Sequence, residues 1–175
     1  MGFKDKMKRY DVIITGASFA GLAVASRITG GKVLLIDRKE IGTNQTSACG
    51  TTVKMVKNVK CEKSILRTFD VVTIHIGDRE IDLSLPKIFC TVDYKKFCRL
   101  LANQGKAEFL KANVKGTKNS IVMTDKGNFK AGIIVDCTGP KAFLASSLIK
   151  SYANRRMISV GIETDIPYKD NNLRF

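Results

Sequence analysis

The sequence predicts an α/β fold with a parallel central sheet and inserted antiparallel β-hairpins, and three observations predict it. Asp11-Val12-Ile13-Ile14-Thr15 and Lys32-Val33-Leu34-Leu35-Ile36-Asp37 are short, β-branched apolar runs of the kind buried parallel strands need. Alternating apolar and polar residues on either side of Gly77-Asp78, and again around Asp125-Lys126-Gly127, read as hairpins. Gly132-Ile133-Ile134-Val135-Asp136-Cys137-Thr138-Gly139-Pro140 then repeats the pattern of a buried strand running into glycine.

The first of these segments carries the chemistry. Between the two apolar runs lie Gly16-Ala17-Ser18-Phe19-Ala20-Gly21 and the helix-compatible Leu22-Ala23-Val24-Ala25-Ser26-Arg27-Ile28, which stops at Gly30-Gly31. This is a β-α-β unit with an acid at its far end. Gly16 permits a tight strand-to-helix turn, a small residue at Ser18 lets the backbone approach a pyrophosphate, and Gly21 lets the helix pack closely on the strand. The helix N-terminus offers free N–H groups and a partial positive charge to phosphates. Asp37 follows at about the spacing at which a carboxylate accepts hydrogen bonds from ribose hydroxyls. The middle glycine of G-x-G-x-x-G is replaced by Ser18, which adds only a hydroxymethyl group. Strand, turn, helix, strand and acid in this order predict dinucleotide binding.

Composition narrows the class. A chain of 175 residues that is 44% hydrophobic can build one ample core. No apolar run approaches the ~18 residues that a spanning helix needs, and residues 1–9 are too polar for a signal peptide. A cytoplasmic location is the expectation. The five cysteines, Cys49, Cys61, Cys90, Cys98 and Cys137, form no C-x-x-C pair, so neither a disulfide framework nor a metal site is expected.

A net charge of +14, from 30 Lys and Arg against 16 Asp and Glu, points to a polyanionic partner. Lysines are spread from end to end without a nucleic-acid motif, so no specific nucleic acid is expected. The densest cluster is Lys54, Lys57, Lys60, Lys63 and Arg67, with Val56 among them. It reads first as a solvated face, and second as an attraction to anionic lipid or phosphate, which would make the protein peripheral to a membrane.

Taken in order, the polar, glycine-punctuated stretch from Lys39 to Thr52 reads as a loop, with Cys49-Gly50 its most unusual pair. Residues 53–69 are expected to be helical. Strands over 71–76 and 80–85 form a hairpin, and a third strand covers 88–92. In the first of these His75 occupies the polar register, where a surface position is expected. Asp93 is a natural N-cap for a helix over 94–102, whose Phe97, Leu100 and Leu101 make a core face. Short strands are expected at 107–110, 113–115, 120–124 and 128–131, and a last one at 157–165.

Together the Gly16 to Gly21 turn, Asp37, Ala48-Cys49-Gly50, the Val92-Asp93-Tyr94-Lys95-Lys96-Phe97 helix start and Asp136-Cys137-Thr138-Gly139 resemble the geranylgeranyl reductase family. These are FAD-dependent flavoproteins related to para-hydroxybenzoate hydroxylase. The archaeal digeranylgeranylglycerophospholipid reductases are the most similar type. The resemblance implies a Rossmann-like FAD-binding fold over 1–155. Residues 156–175 would begin a substrate domain, truncated before it is complete. It implies that Gly16, Ala17, Ser18, Phe19, Ala20 and Gly21 lie at the pyrophosphate and that Asp37 and Arg38 lie at the adenosine ribose. It places Cys49, Gly50 and Thr52 near the ribityl chain and flavin, backbone at Val114 near the adenine, and Thr138-Gly139 beside the cofactor. Where the family commonly has arginine this chain has Tyr94, so a phosphate contact would either move to Arg99 or be missing.

The activity implied is reduction of isoprenoid double bonds in a prenyl lipid or prenyl diphosphate, with Cys49 as the candidate catalytic residue. A flavin-dependent aromatic hydroxylase and an FAD-binding module without turnover are the alternatives. Asp37 would repel a 2′-phosphate, so FAD is expected over NADP. The family's later Gly-Asp segment does not occur in this chain, so weak FAD binding without reductase activity is expected, and a partner chain could supply the missing half.

Overall fold

The computed structural model describes residues 7–45, 47–140, 142–149, 151–152 and 172–174. The β-α-β unit forms as the sequence predicts, from β1 (Arg9–Thr15), α1 (Phe19–Arg27) and β2 (Val33–Asp37), with the strands paired in parallel from Val12↔Val33 to Thr15↔Ile36. The helix begins at Phe19, directly after the turn, three residues earlier than the apolar pattern alone suggests. Asp11 ties the start of the unit together, because its carboxylate accepts from the Lys32 N–H at 2.6 Å.

Four strands lie parallel in the main sheet. β6 (Glu108–Lys111) pairs with β2, and β9 (Gly127–Asp136) pairs with β1 from Arg9↔Lys130 to Thr15↔Asp136. β7 (Val114–Lys118) and β8 (Ile121–Thr124) complete it through antiparallel pairs, giving the order β6-β2-β1-β9-β8-β7. The segments expected at 128–131 and 132–137 are one strand. The first part of β9 belongs to the β7-β8-β9 meander and the second to the parallel sheet, so a single element joins the two.

Alternation along β1 and β2 sends their side chains to two cores. Ile14, Val33 and Leu35 pack with α1 and with α3 (Tyr94–Ala102), while Ile13, Leu34 and Ile36 pack with Val122, Ala131 and Phe129 of the meander. Full burial of one such aliphatic side chain contributes about 1.5–3 kcal/mol. Asp93 caps α3 as predicted, its carboxylate accepting from the Lys96 N–H at 2.8 Å.

The second sheet corrects three expectations. The helix expected over 53–69 is the short α2 (Val53–Asn58), which ends where Lys60 takes a left-handed φ of +55°. The chain then passes through a 3-10 turn at Glu62–Ser64 into β4 (Ile65–Ile76), because residues 65–69 find partners from Val92 to Phe89 on β5 (Arg79–Val92). Cross-strand pairing of β-branched and aromatic side chains overrides the helix propensity of the lysines. The strands expected at 80–85 and 88–92 are one long β5, with the register shift opposite Phe69/Val71 and the left-handed Lys87 accommodating Pro86. Gly77 at φ +59° turns the expected hairpin, and His75 lies on the surface beside Glu80 at 3.3 Å.

The loop expected to run to Thr52 instead yields β3 (Gly50–Thr52), paired with β5. β10 (Asn172–Arg174) pairs in parallel with β4, and the order is β10-β4-β5-β3. α4 (Phe143–Leu148) was not anticipated. The strand expected at 157–165 and the boundary after 155 lie outside the described residues.

Gly16 has φ +100°, and a Cβ there would overlap the carbonyl oxygen of Cys137; a Cβ on Gly21 would overlap the carbonyl oxygen of Gly16. Gly139 also has positive φ, +81°, but open space around it. Gly16→Ala is therefore expected to cost about 3 kcal/mol or more, and Gly139→Ala only about 1 kcal/mol. Urea unfolding of the two variants checks the order, and equal losses would contradict it.

Candidate functional site

The C-terminal ends of β1, β2 and β9 bring the predicted nucleotide residues together. Gly16 donates its N–H to the Ile36 carbonyl at 2.7 Å, and Cys137 donates to the Thr15 carbonyl at 2.8 Å, so the turn is held between its two neighbouring strands. Asp37 reaches across, its Oδ2 accepting from the Ala17 N–H at 2.7 Å and its Oδ1 from the Lys39 N–H at 2.9 Å. The half-buried carboxylate thus positions the glycine turn, a role the motif reading did not give it. Each oxygen keeps further acceptor capacity. Arg38 beside it is exposed.

Ser18 precedes α1 with no side-chain cap bond, and no acidic residue lies in the helix's first turn. The orphan N–H groups there are not neutralised by a side-chain cap, and no carboxylate in the first turn offsets the positive end of the helix. The Ser18 hydroxyl is instead hydrogen-bonded with Tyr94 Oη at 3.1 Å. Tyr94 is buried, and the Phe19 ring packs on it at 5.2 Å and on Phe97 at 4.8 Å. The substitution of glycine by Ser18 is thereby explained, because its hydroxyl is drawn toward α3. Tyr94 anchors the helix N-terminus from below. Arg99 lies on the exposed face of α3, whose buried residues are Tyr94, Phe97, Cys98 and Leu101.

Val114 begins β7 after a crossing from β6 in which Ala112 donates to the Asp37 carbonyl at 2.8 Å, which keeps this segment at the same end of the sheet as Asp37. Thr138 and Gly139 follow β9. Their conformation is set by Asp136, whose Oδ1 accepts from the Thr138 N–H at 3.0 Å and hydroxyl at 2.6 Å, while Oδ2 accepts from the N–H groups of Leu144 and Ala145, each at 2.8 Å. The Thr138 hydroxyl in turn accepts from the Phe143 N–H at 2.7 Å. Asp136 is the organising residue that the sequence reading did not place in the site. The signal available was an acid two residues before a threonine and glycine, the spacing of an Asx turn.

Cys49 and Gly50 border a cavity of about 310 Å³, lined also by Phe19, Met55, Phe97 and Leu101. Cys49 is half-buried and is fixed through its carbonyl, which accepts from the Val92 N–H at 2.9 Å. Burial pushes the thiols of Cys61, Cys90 and Cys137 up, and that of Cys98 up to about 11. Thr52 caps α2, accepting from the Met55 N–H at 3.2 Å, and so serves local structure. Among the described residues no cluster of His, Cys, Asp or Glu could hold a metal ion, and no helix is long and apolar enough to cross a membrane.

No family model and no curated protein matches the chain. Solved structures do. A geranylgeranyl bacteriochlorophyll reductase-like protein from Thermoplasma acidophilum superposes with a TM-score of 0.59 at 20% identity, over 71% of this chain and 37% of that one. The myxobacterial chondrochloren halogenase CndH, a variant of FAD-dependent halogenases, gives 0.63 at 15% identity over 80% and 39%. PqsL of P. aeruginosa, solved with 2-aminobenzoylacetate, gives 0.62 at 13% identity over 92% and 48%. The chain spans less than half the length of each. The shared feature is the fold, an α/β architecture built on a mainly parallel central sheet.

Burial raises the pKa of Asp136, but the hydrogen bonds from Thr138, Ala145 and Leu144 outweigh it and leave the carboxyl below its usual range. A carboxylate lowered in the folded state stabilises fully above the unfolded value of about 3.9, and that stability is lost as pH falls through the folded value. Asp136→Asn should therefore be less stable than the parent at neutral pH and lose less on acidification below about pH 4. Urea midpoints across that range check this, and parallel pH slopes would contradict it.

Proposed function

We propose that the chain binds FAD and forms the nucleotide-binding part of an FAD-dependent oxidoreductase. The observation that carries the proposal is the glycine turn: Gly16 wedged against Cys137, Asp37 holding Ala17, and α1 opening without a side-chain cap or an acid in its first turn. This arrangement suits a pyrophosphate over the helix N-terminus and a ribose at Asp37. Val114 and Thr138-Gly139 would border the adenosine and ribityl portions. When bound, FAD supplies two-electron transfer; the chain's own residues bind, orient and exclude water.

The finer proposal is reduction of isoprenoid double bonds. Its support is the family resemblance around Ala48-Cys49-Gly50 together with the apolar cavity beside Cys49, which suits a hydrocarbon substrate such as a prenyl lipid. Aromatic hydroxylation or halogenation is the competing chemistry, supported by the likeness to CndH, whose TM-score of 0.63 is as high as that of the reductase-like protein. In either case Cys49 is the candidate residue beside the reacting groups.

FAD and ADP binding to the 175-residue chain, followed by flavin fluorescence quenching and by competition, tests the proposal. Asp37→Ala should weaken both by about 1–3 kcal/mol, or roughly 5- to 150-fold, the scale of losing hydrogen bonds to a charged acceptor. Asp37→Asn keeps an acceptor for the Ala17 N–H, so a loss shared by both variants reads on the ligand and not on the turn. Unchanged affinity in a folded Asp37→Ala variant, or quenching that ADP cannot compete away, would contradict the assignment.

A further inference from the structure

Between α1 and the second sheet, residues 54–67 carry a run of cations whose setting the fold makes specific. Val56 and Cys61 are fully buried and Ser64 is 1% exposed, and these three inward anchors turn the intervening side chains out to solvent. Lys54, Lys57, Lys60 and Lys63 are all exposed, and among the described residues no ion pair engages any of them. Arg67 is the fifth cation of the run, and Arg27 of α1 adds a sixth, its guanidinium donating to the Asn58 carbonyl at 2.8 Å. Glu62 is the only acid within the run.

Two large, exposed apolar side chains fall within the same run of sequence. Met55 is 53% exposed and Leu66 is 68% exposed. Met55 also lines the apolar cavity beside Cys49, so the cationic surface borders the cavity. Val56, the apolar residue among the lysines, is fully buried and so takes no part in this surface, and α2 ends at Asn58.

We infer that this surface docks the protein on an anionic lipid bilayer, with the lysines over the head groups and Met55 and Leu66 entering the interface. Lysines near an anionic leaflet attract it over about a Debye length, and exposed apolar side chains add a contribution that salt does not screen. Nucleic acid would meet the charge but leave Met55 and Leu66 unused, and the described surface shows no aromatic side chains interleaved with the lysines. Orientation follows as well, because docking here turns the apolar cavity toward the bilayer. This inference does not rest on the nucleotide site.

Cosedimentation of the 175-residue chain with vesicles tests it, using phosphatidylcholine alone and phosphatidylcholine containing about a third phosphatidylglycerol. Binding is expected to the anionic vesicles and not to the neutral ones. The variant K54E/K57E/K60E/K63E should bind at least tenfold more weakly. The residues are exposed, so far-UV circular dichroism should be unchanged; should that variant not fold, about 0.5 M salt with the parent protein provides the same contrast. Met55→Asp with Leu66→Asp should remove the binding that survives added salt. Equal binding to neutral and anionic vesicles would overturn the inference. So would retention of binding by the folded charge-reversal variant, or binding to duplex DNA without binding to anionic vesicles.

Discussion

The fold depends on one close approach of backbone to backbone. Gly16 sits where β1 ends, β9 passes and α1 begins, and its missing side chain is what lets the Cys137 carbonyl lie against it. Gly21, in the first turn of α1, extends the same contact by sitting on the Gly16 carbonyl. A methyl group at either place would push the helix or β9 away from the end of β1. Everything downstream relies on that spacing, including the hydrogen bond from Gly16 to Ile36, the direction of α1 and the position of its N-terminus over the strand ends.

Two carboxylates turn this packed junction into a site. Asp37 ends β2 and Asp136 ends β9, and each is half-buried with both oxygens accepting from backbone N–H groups. Asp37 fixes the turn, and Asp136 fixes the Thr138-Gly139 loop and the start of α4. The ends of β2 and β9, on either side of β1, thus present rigid loops around one helix N-terminus. Rigidity would matter to the proposed nucleotide site, because a diphosphate held by backbone N–H groups depends on a geometry that no side-chain rotamer can adjust. Tyr94 completes the support from α3, taking the Ser18 hydroxyl.

Much of this was legible in the sequence. The apolar runs at 11–15 and 32–37, the glycine turn, the Asp93 cap and the Gly77 hairpin all follow from local rules of strand burial, turn conformation and helix capping. The misreadings share a different cause. Residues 65–69 carry a weak β-branched and aromatic signal at Ile65, Thr68 and Phe69 that becomes decisive only because β5 lies beside them, pairing Ile65 with Val92 and Phe69 with Phe89. β9 looked like two strands since its first part joins a meander and its second part a parallel sheet, and only the fold shows that they are continuous. Asp136 could have been anticipated from its spacing to Thr138, whereas the structural duty of Asp37 toward Ala17 could not, because the motif assigns that acid to the ligand.

The helix N-terminus after Gly16 is the proposed nucleotide site on which the rest depends. Backbone amide chemical shifts of the labelled 19.3 kDa chain, followed during titration with FAD, test it most directly. The account predicts shifts concentrated on Ala17 to Gly21, with smaller ones at Asp37 to Lys39, Ala112 to Val114 and Thr138-Gly139. Shifts confined to other surfaces, with residues 16–21 unmoved at saturating FAD, would contradict it.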